Sequence, residues 1–198
     1  MGSEWFKVRE VGDATWAIDD QGSDLIYLVA GQERCLLIDT GWGVGDLPAL
    51  VASLSSLPLT VVNTHGHPDH ISGNMIMKQA TGASILIHEN HSGRANPDQK
   101  LSDGDVIKIG NYKLVVLHTP GHTKSGISIL GDGVVFTGDT LFAGSVGRTD
   151  FPGGSFEELI NSIKTKLVPL PDHFKVYPGH ESFSTIGNEK KYNPYLQR

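Results

Sequence analysis

The chain has 198 residues, of which 38% are hydrophobic and 19% charged, and its formal net charge at pH 7 is −6. This length suits one domain with a substantial core, and the composition is ordinary for a soluble globular protein. The acidic balance lacks the basic stripe that nucleic-acid binding needs, so nucleic acid is disfavoured as a general partner.

The cysteine content and the lengths of the apolar runs restrict the possible disulfides, metal sites and membrane segments. Because Cys35 is the only cysteine, the chain can form neither an intramolecular disulfide nor a thiolate zinc site. The apolar residues around Cys35 predict a small buried side chain. No apolar run approaches the length of a membrane span, and the N-terminus lacks the basic and apolar regions of a signal peptide. We therefore expect a cytoplasmic protein without a membrane partner.

In the first half of the chain, short apolar runs separated by turn residues predict strands. A stripe of leucine and valine predicts an amphipathic helix over residues 46–55, with Asp46 as its N-cap. A second short helix is predicted over residues 71–80. The predicted strands cover residues 5–11, 14–18, 25–29, 35–38, 59–63 and 84–88.

The second half continues as strands, with one long helix. Residues 89–100 are polar and aperiodic, which predicts a surface loop, and His88 and His91 are expected to be solvated there. Ser155 and Glu158 have the spacing of a capping box and predict a helix over residues 155–167. Further strands are predicted at residues 105–109, 113–117, 127–130, 134–137 and 176–180.

Residues 64–70 are the most informative stretch, because three histidines and an aspartate follow a predicted strand there. The intervening glycine and proline prevent a regular continuation, so these side chains are expected on a loop. His65 and His67 would share a face, since alternate residues of an extended chain point the same way. Asp69 and His70 follow a turn, so their side chains can reach a second position a few ångströms away. Imidazoles and carboxylates suit zinc, iron or manganese, and two neighbouring points favour two ions.

Three further predicted strands also end in a candidate ligand. These are His122, Asp139 and His180. Strand ends along one edge of a sheet can hold a fixed constellation on rigid supports. The sequence therefore predicts a metal site to which four separate chain segments contribute.

These motifs resemble those of the metallo-β-lactamase superfamily of hydrolases. The resemblance implies an α/β fold, a four-layer αββα sandwich, with residues 1–198 forming a single domain. Residues 138–151 and the tail at 184–194 are most similar to the glyoxalase II-type branch, which includes hydroxyacylglutathione hydrolases and iron-dependent persulfide dioxygenases. The matching motifs are Asp39-Thr40-Gly41, the histidine loop from His65 to His70, Pro120-Gly121-His122-Thr123, Gly138-Asp139-Thr140 and Pro178-Gly179-His180.

The resemblance also implies roles for individual residues. Asp39 would accept a hydrogen bond from a ligand imidazole and fix its orientation; the alternative is a turn-forming aspartate. Arg148 would hold a substrate carboxylate; the alternative is an ordinary surface arginine. One metal ion would be bound by His65, His67 and His122, a second by Asp69, His70 and His180, and Asp139 would bridge the two.

The activity implied is that of a metal-dependent thioester hydrolase of the glyoxalase II type. A hydroxide bridging two divalent ions would attack the carbonyl carbon, and Asp69 would orient it as well as bind metal. Zinc is the expected metal, with iron or manganese as alternatives, and the substrate would be a glutathione thioester or a related small molecule. Only eighteen residues follow His180, too few for the helical segment that supplies much of the glutathione site in true glyoxalase II.

Several sister functions remain as alternatives. A persulfide dioxygenase would bind a single iron through two histidines and an aspartate, here His65, His122 and Asp139. A lactonase is disfavoured because Phe142 occupies the position of a tyrosine, and a β-lactamase is disfavoured because those enzymes lack an aspartate at the position of Asp139. A catalytically idle binding module is the third class. His118 is expected to be a core or orienting residue rather than a general base.

Overall fold

The computed structural model describes residues 5–93 and 95–197. Within it the chain divides into two compact units. The first comprises residues up to 87 together with 92–100 and 108–113, and the second comprises 88–91, 101–107 and the chain from 114 onward. Each unit combines strands of one main sheet with helices, as an α/β protein should. No helix among the described residues is long and apolar enough to cross a membrane.

The first sheet has seven strands that follow one another in chain order, β1 to β7. Its first four strands pair antiparallel, whereas β4, β5 and β6 run parallel to each other. Two of the predicted strands, β4 and β6, match the prediction residue for residue. The strands are β1 (Phe6–Gly12), β2 (Thr15–Asp20), β3 (Asp24–Ala30), β4 (Cys35–Ile38), β5 (Leu59–Val62), β6 (Ser84–His88) and β7 (Gln99–Leu101).

The second sheet has six strands in the order β15, β14, β11, β10, β9, β8, and β12 pairs with β13 in a separate hairpin. In the six-stranded sheet, β11 and β14 run parallel. The sequence did not predict the two-residue strands β12, β13 and β15, because they are too short to show periodicity. The strands are β8 (Val106–Ile109), β9 (Tyr112–His118), β10 (Ile127–Leu130), β11 (Val134–Gly138), β12 (Leu141–Phe142), β13 (Ser145–Val146), β14 (Lys175–Pro178) and β15 (Ser184–Thr185).

Two of the helices begin at the caps that were predicted for them. Asp46 and Ser155 both accept a hydrogen bond from a backbone N–H of the first turn, as expected of N-caps. The predicted helix over residues 71–80 is instead two helices, interrupted at Ser72 and Gly73. Gly73 lies so close to Thr40 that an added Cβ would meet the Thr40 carbonyl oxygen at 2.4 Å. The helices are α1 (Leu47–Leu54), α2 (Pro68–Ile71), α3 (Asn74–Thr81), α4 (Phe156–Ser162), which continues as a π-helical turn (Ile163–Leu167), and α5 (Ile186–Tyr192).

Each unit has its own apolar core, in which helices pack on strands. In the first unit, Val51 of α1 and Met77 of α3 pack with the interior of the seven-stranded sheet. In the second unit, Leu159 of α4 packs with Val135 and other residues of the six-stranded sheet. This burial of one helix face against each sheet agrees with the amphipathic pattern of the sequence. Cys35 is buried, as predicted.

The prediction for His88 was wrong. The side chain is 2% exposed and its ring stacks on that of His118, with centroids 3.9 Å apart and an interplanar angle of 8°. His88 is the last residue of β6, where the strand was predicted to end, and the His118 ring covers its side chain. Gln99 begins β7, so the aperiodic segment is also shorter than predicted.

Candidate metal centre

The first unit brings the donors of the histidine loop together at the end of β5. His65 Nε2 lies 3.1 Å from His67 Nδ1, and the rings of His65 and His70 have centroids 4.1 Å apart. Asp69 Oδ2 lies 3.7 Å from His70 Nε2. Two nitrogens bound to one zinc ion at about 2.0–2.1 Å in tetrahedral geometry are roughly 3.3 Å apart. The spacing of His65 and His67 therefore suits a shared ion.

One buried carboxylate orients two of these histidines. His70 Nδ1 lies 2.8 Å from Asp39 Oδ2, which leaves Nε2 of His70 as the ligand atom. The Thr64 hydroxyl donates to Asp39 and lies 3.2 Å from His65 Nδ1, so His65 also presents Nε2. Asp39 is 2% exposed and has φ +64°, a conformation that an aspartate tolerates better than most residues.

A polar network behind the loop was not predicted from the sequence. The carbonyl oxygen of His70 accepts hydrogen bonds from the Thr40 backbone, the Thr40 hydroxyl and the Asn63 amide. Asn63 and Asn74 form a reciprocal pair of amide hydrogen bonds, at 3.2 and 2.8 Å. These side chains are all buried. Because buried polar groups are costly unless paired, the complete network fixes the backbone at His70.

The second unit brings its three candidate ligands together as well. Asp139 and His180 follow the parallel strands β11 and β14, so both leave the same edge of the sheet. Asp139 Oδ2 lies 3.5 Å from His122 Nε2 and 3.3 Å from His180 Nε2. One carboxylate oxygen thus lies close to both imidazole nitrogens, so the three side chains could contribute ligands to a metal centre.

His122 is oriented by the backbone of a residue that was predicted for another role. Its Nδ1 donates to the carbonyl oxygen of Arg148 at 2.7 Å, which leaves Nε2 as the candidate ligand atom. The loop carrying His122 is tied to α4, since the Gly121 carbonyl oxygen accepts from the backbone N–H of the N-cap, Ser155. A metal-binding histidine in proteins commonly donates its other nitrogen in this way.

The side chain of Arg148 is engaged with its own neighbours. Its Nε and Nη2 donate to the two carboxylate oxygens of Asp150 at 2.7 and 2.6 Å, and its guanidinium carbon lies 4.0 Å from the centroid of the Phe151 ring. The hydrogen bonds from Arg148 lower the pKa of Asp150 to about 2. Both charged side chains are more than half exposed, so a substrate carboxylate would compete with Asp150 for Arg148.

The buried carboxyl group of Asp24, in the first unit, has a raised pKa. Burial raises the pKa of Asp24 from its ordinary 3.8 to about 7, and the neighbouring Asp20 carboxylate raises it further, while His70 acts in the opposite direction. Asp24 is 2% exposed. The sequence did not mark it, because an aspartate at the start of a strand resembles an ordinary turn residue.

The comparisons with known proteins agree with this donor chemistry. A family model described as the metallo-beta-lactamase superfamily matches residues 20–180. The chain is similar to the hydroxyacylglutathione hydrolase GloC of Haemophilus influenzae, with 36% identity over an alignment that covers 87% of this chain and 97% of that relative.

Two solved structures show the same similarity in three dimensions. ETHE1 from Myxococcus xanthus is 32% identical, with a TM-score of 0.83 over 97% of this chain and 85% of that one. TTHA1623, in a di-iron-bound form, is 28% identical, with a TM-score of 0.76 over 96% of this chain and all of that one.

Proposed function

The chain belongs to the metallo-β-lactamase superfamily, and on this premise we propose that it is a metal-dependent thioester hydrolase of the hydroxyacylglutathione hydrolase type. The predicted α/β sandwich of this family is confirmed, as is the resemblance to the glyoxalase II-type branch. That residues 1–198 form a single domain stays a prediction. The cytoplasmic location and the absence of nucleic-acid and membrane partners also stay predictions.

The observation that carries the proposal is the position of Asp139. Its Oδ2 lies within 3.5 Å of the ligand nitrogens of both His122 and His180. By the resemblance, Asp139 would bridge two ions as in the glyoxalase II-type branch, whereas the β-lactamases lack an aspartate at this position. The identity to GloC, which extends over nearly the whole of that relative, supports the same assignment.

We assign the seven donors to a centre of two divalent ions, as the sequence predicted. Asp139 would bridge the ions, and zinc is the metal we propose. The di-iron form of TTHA1623 supports iron as the alternative. Within the first unit the assignment is supported by the 3.1 Å between His65 Nε2 and His67 Nδ1. Within the second unit it is supported by the distances from Asp139 Oδ2 to His122 Nε2 and His180 Nε2.

The residues of the chain would divide the work of hydrolysis. Divalent ions, when bound, polarise a substrate carbonyl and lower the pKa of a coordinated water from about 16 to near 7. Asp69, which is partly exposed, would bind metal and orient the attacking hydroxide. Arg148 would bind a carboxylate of the substrate after separating from Asp150. Asp39 and the Arg148 carbonyl hold ligand imidazoles in one tautomer and orientation.

The decisive experiment is hydrolysis of S-lactoylglutathione by protein loaded with zinc. We expect Asp139→Ala to abolish turnover, because the shared carboxylate is lost. The matched control is Asp132→Ala, which alters an exposed aspartate in the turn after β10 and should leave the rate unchanged. If wild-type protein does not hydrolyse thioesters, or if Asp139→Ala retains full activity, the proposed function is wrong.

The second candidate is an iron-dependent persulfide dioxygenase. It would use His65, His122 and Asp139 as the three ligands of a single iron, and the 3.5 Å between His122 and Asp139 suits this set too. Elemental analysis of protein purified without added metal, together with oxygen uptake on glutathione persulfide, separates the two candidates. One iron per chain with oxygen consumption would replace the hydrolase by the dioxygenase.

A further inference from the structure

Helix α5 presents a buried carboxylate to the hairpin that follows Asp139. Glu189 is 4% exposed. Its Oε2 accepts from the backbone N–H of Gly144 at 2.9 Å and from the Asn193 amide at 2.8 Å, and its Oε1 accepts from the Ser184 hydroxyl. A buried carboxylate is costly unless such donors surround it. The three donors therefore make Glu189 a fixed point of the second unit.

Asn193 binds the same hairpin at a second backbone group, the carbonyl oxygen of Ser145. It is fully buried, and its amide donates to the carbonyl oxygen of Ser145 at 3.0 Å as well as to Glu189. Gly144 lies in the turn between β12 and β13, and Ser145 is the first residue of β13. The tail of the chain thus holds both an N–H and a C=O of this hairpin.

The hairpin and the two residues after it lie close to each candidate ligand of the second unit. The hairpin begins two residues after Asp139, and the ring of Phe142 packs edge-on against His180, with centroids 6.1 Å apart. At its other end the chain passes Asp139 and His122 so closely that a Cβ atom on Gly147 would lie 1.9 Å from the Asp139 carbonyl oxygen. The next residue, Arg148, accepts the hydrogen bond that orients His122.

We propose that Glu189 and Asn193 are positioning residues for His122, Asp139 and His180, acting through the hairpin of residues 141–146. They touch none of these ligands and would act by fixing the turn between them. This inference rests on the proposed metal centre, but not on the identity of the substrate. A purely structural role, in which Glu189 only anchors the tail, predicts a loss of stability without a change in metal affinity.

The test is a cobalt(II) titration of chelator-treated protein, followed by visible absorption. Glu189→Gln keeps the shape of the side chain but removes one acceptor oxygen, and we expect the affinity for cobalt(II) to fall about tenfold. Ser184→Ala is the matched control, because it removes a donor to Glu189 that lies outside the hairpin but leaves Glu189 and Asn193 unchanged. It should lower the urea midpoint while leaving the cobalt(II) affinity and spectrum unchanged.

Each outcome decides the matter. If Glu189→Gln binds cobalt(II) with wild-type affinity and spectrum, Glu189 is an anchor for the tail and the inference is wrong. If Glu189→Gln does not fold, Asn193→Ala carries the same expectation of weaker binding, and unchanged affinity in that variant overturns the inference. Wild-type protein that binds fewer than two cobalt(II) ions would overturn the dinuclear centre itself, and this inference with it.

Discussion

Asp39 Oδ2 lies 2.8 Å from His70 Nδ1, and the same carboxylate accepts from the backbone and the hydroxyl of Thr64. The carboxylate is thereby linked directly to one histidine of the loop and, through Thr64, to His65. Both histidines are almost fully buried, so few other groups could set their orientation. A single residue 26 positions before the loop fixes which nitrogen each imidazole presents.

The first prediction follows from this arrangement. Asp39→Ala should weaken zinc binding by about 10- to 100-fold, because His70 loses the acceptor that holds its tautomer and ring orientation. Competition between the protein and a coloured zinc chelator measures the affinity. Asp46→Asn is the control, since asparagine caps a helix as well as aspartate does, and it should bind zinc normally. Unchanged affinity in Asp39→Ala would mean that Thr64 alone suffices to hold the loop.

The sequence predicted those parts of the site whose chemistry lies within short motifs. His65, His67 and His70 lie close together in the chain. The strands that precede Asp139 and His180 are apolar enough to be recognised individually. The meeting of Asp139 and His180 in the second unit then follows from the parallel pairing of β11 with β14. The metal-binding roles themselves stay predictions until an ion is measured.

The supporting polar contacts could not be predicted, because they join residues far apart in sequence without a local pattern. Glu189 meets Gly144 across 45 positions, and Asn63 meets Asn74 across 11. His88 was predicted to be solvated because polar residues follow it, yet a ring thirty positions later covers it. The sequence shows that a polar side chain needs a hydrogen-bond partner if it is buried, but it does not show which residue that partner is.

The second prediction concerns pH and the stability of the metal-free protein. The pKa of Asp24 is about 7 in the folded chain and near 3.8 when unfolded. As pH rises between these values the unfolded chain ionises and the folded chain does not. Asp24 therefore costs stability progressively across this window, by at most about 1.4 kcal/mol per pH unit.

Asp24→Asn should remove this dependence. Relative to wild type, the variant should become more stable as pH rises from 4.5 to 7.5, as measured by urea unfolding in the presence of a chelator. Asp13→Asn, in an exposed turn, is the control and should follow wild type at each pH. A constant difference between Asp24→Asn and wild type over the whole range would contradict a raised pKa.

The third prediction concerns the stacked pair of His88 and His118. Burial lowers the pKa of His88 below its ordinary 6.5, and the neighbouring His118 lowers it further, whereas Glu89, Asp103 and Asp105 oppose the shift. A lowered pKa contributes stability above pH 6.5 that is lost as pH falls through the folded value. Wild type should therefore lose more stability than His88→Asn between pH 7.5 and 5.

Two measurements check this behaviour. Proton NMR of the imidazole resonances gives the pKa of His88 directly, and urea midpoints at several pH values give the linked stability. His173→Asn is the control, because His173 is exposed in a turn and its replacement should leave the slope with pH unchanged. An ordinary pKa for His88 in the folded protein would show that the stacked ring is more hydrated than its burial indicates.

The last prediction tests the close approach of the chain at Gly147. An added Cβ would lie 1.9 Å from the carbonyl oxygen of Asp139 and 3.3 Å from Cβ of His122, well inside van der Waals contact. Gly147→Ala must therefore displace the backbone that carries one ligand or the other. We expect a loss of about 1–3 kcal/mol in unfolding free energy and at least a tenfold loss in cobalt(II) affinity.

Gly12→Ala is the control for this prediction and should change neither property, because its added Cβ would have Thr15 Cβ as its nearest neighbour at 3.8 Å. If Gly147→Ala binds cobalt(II) as tightly as wild type, the segment can move away without disturbing Asp139, and the hairpin does not fix the ligands.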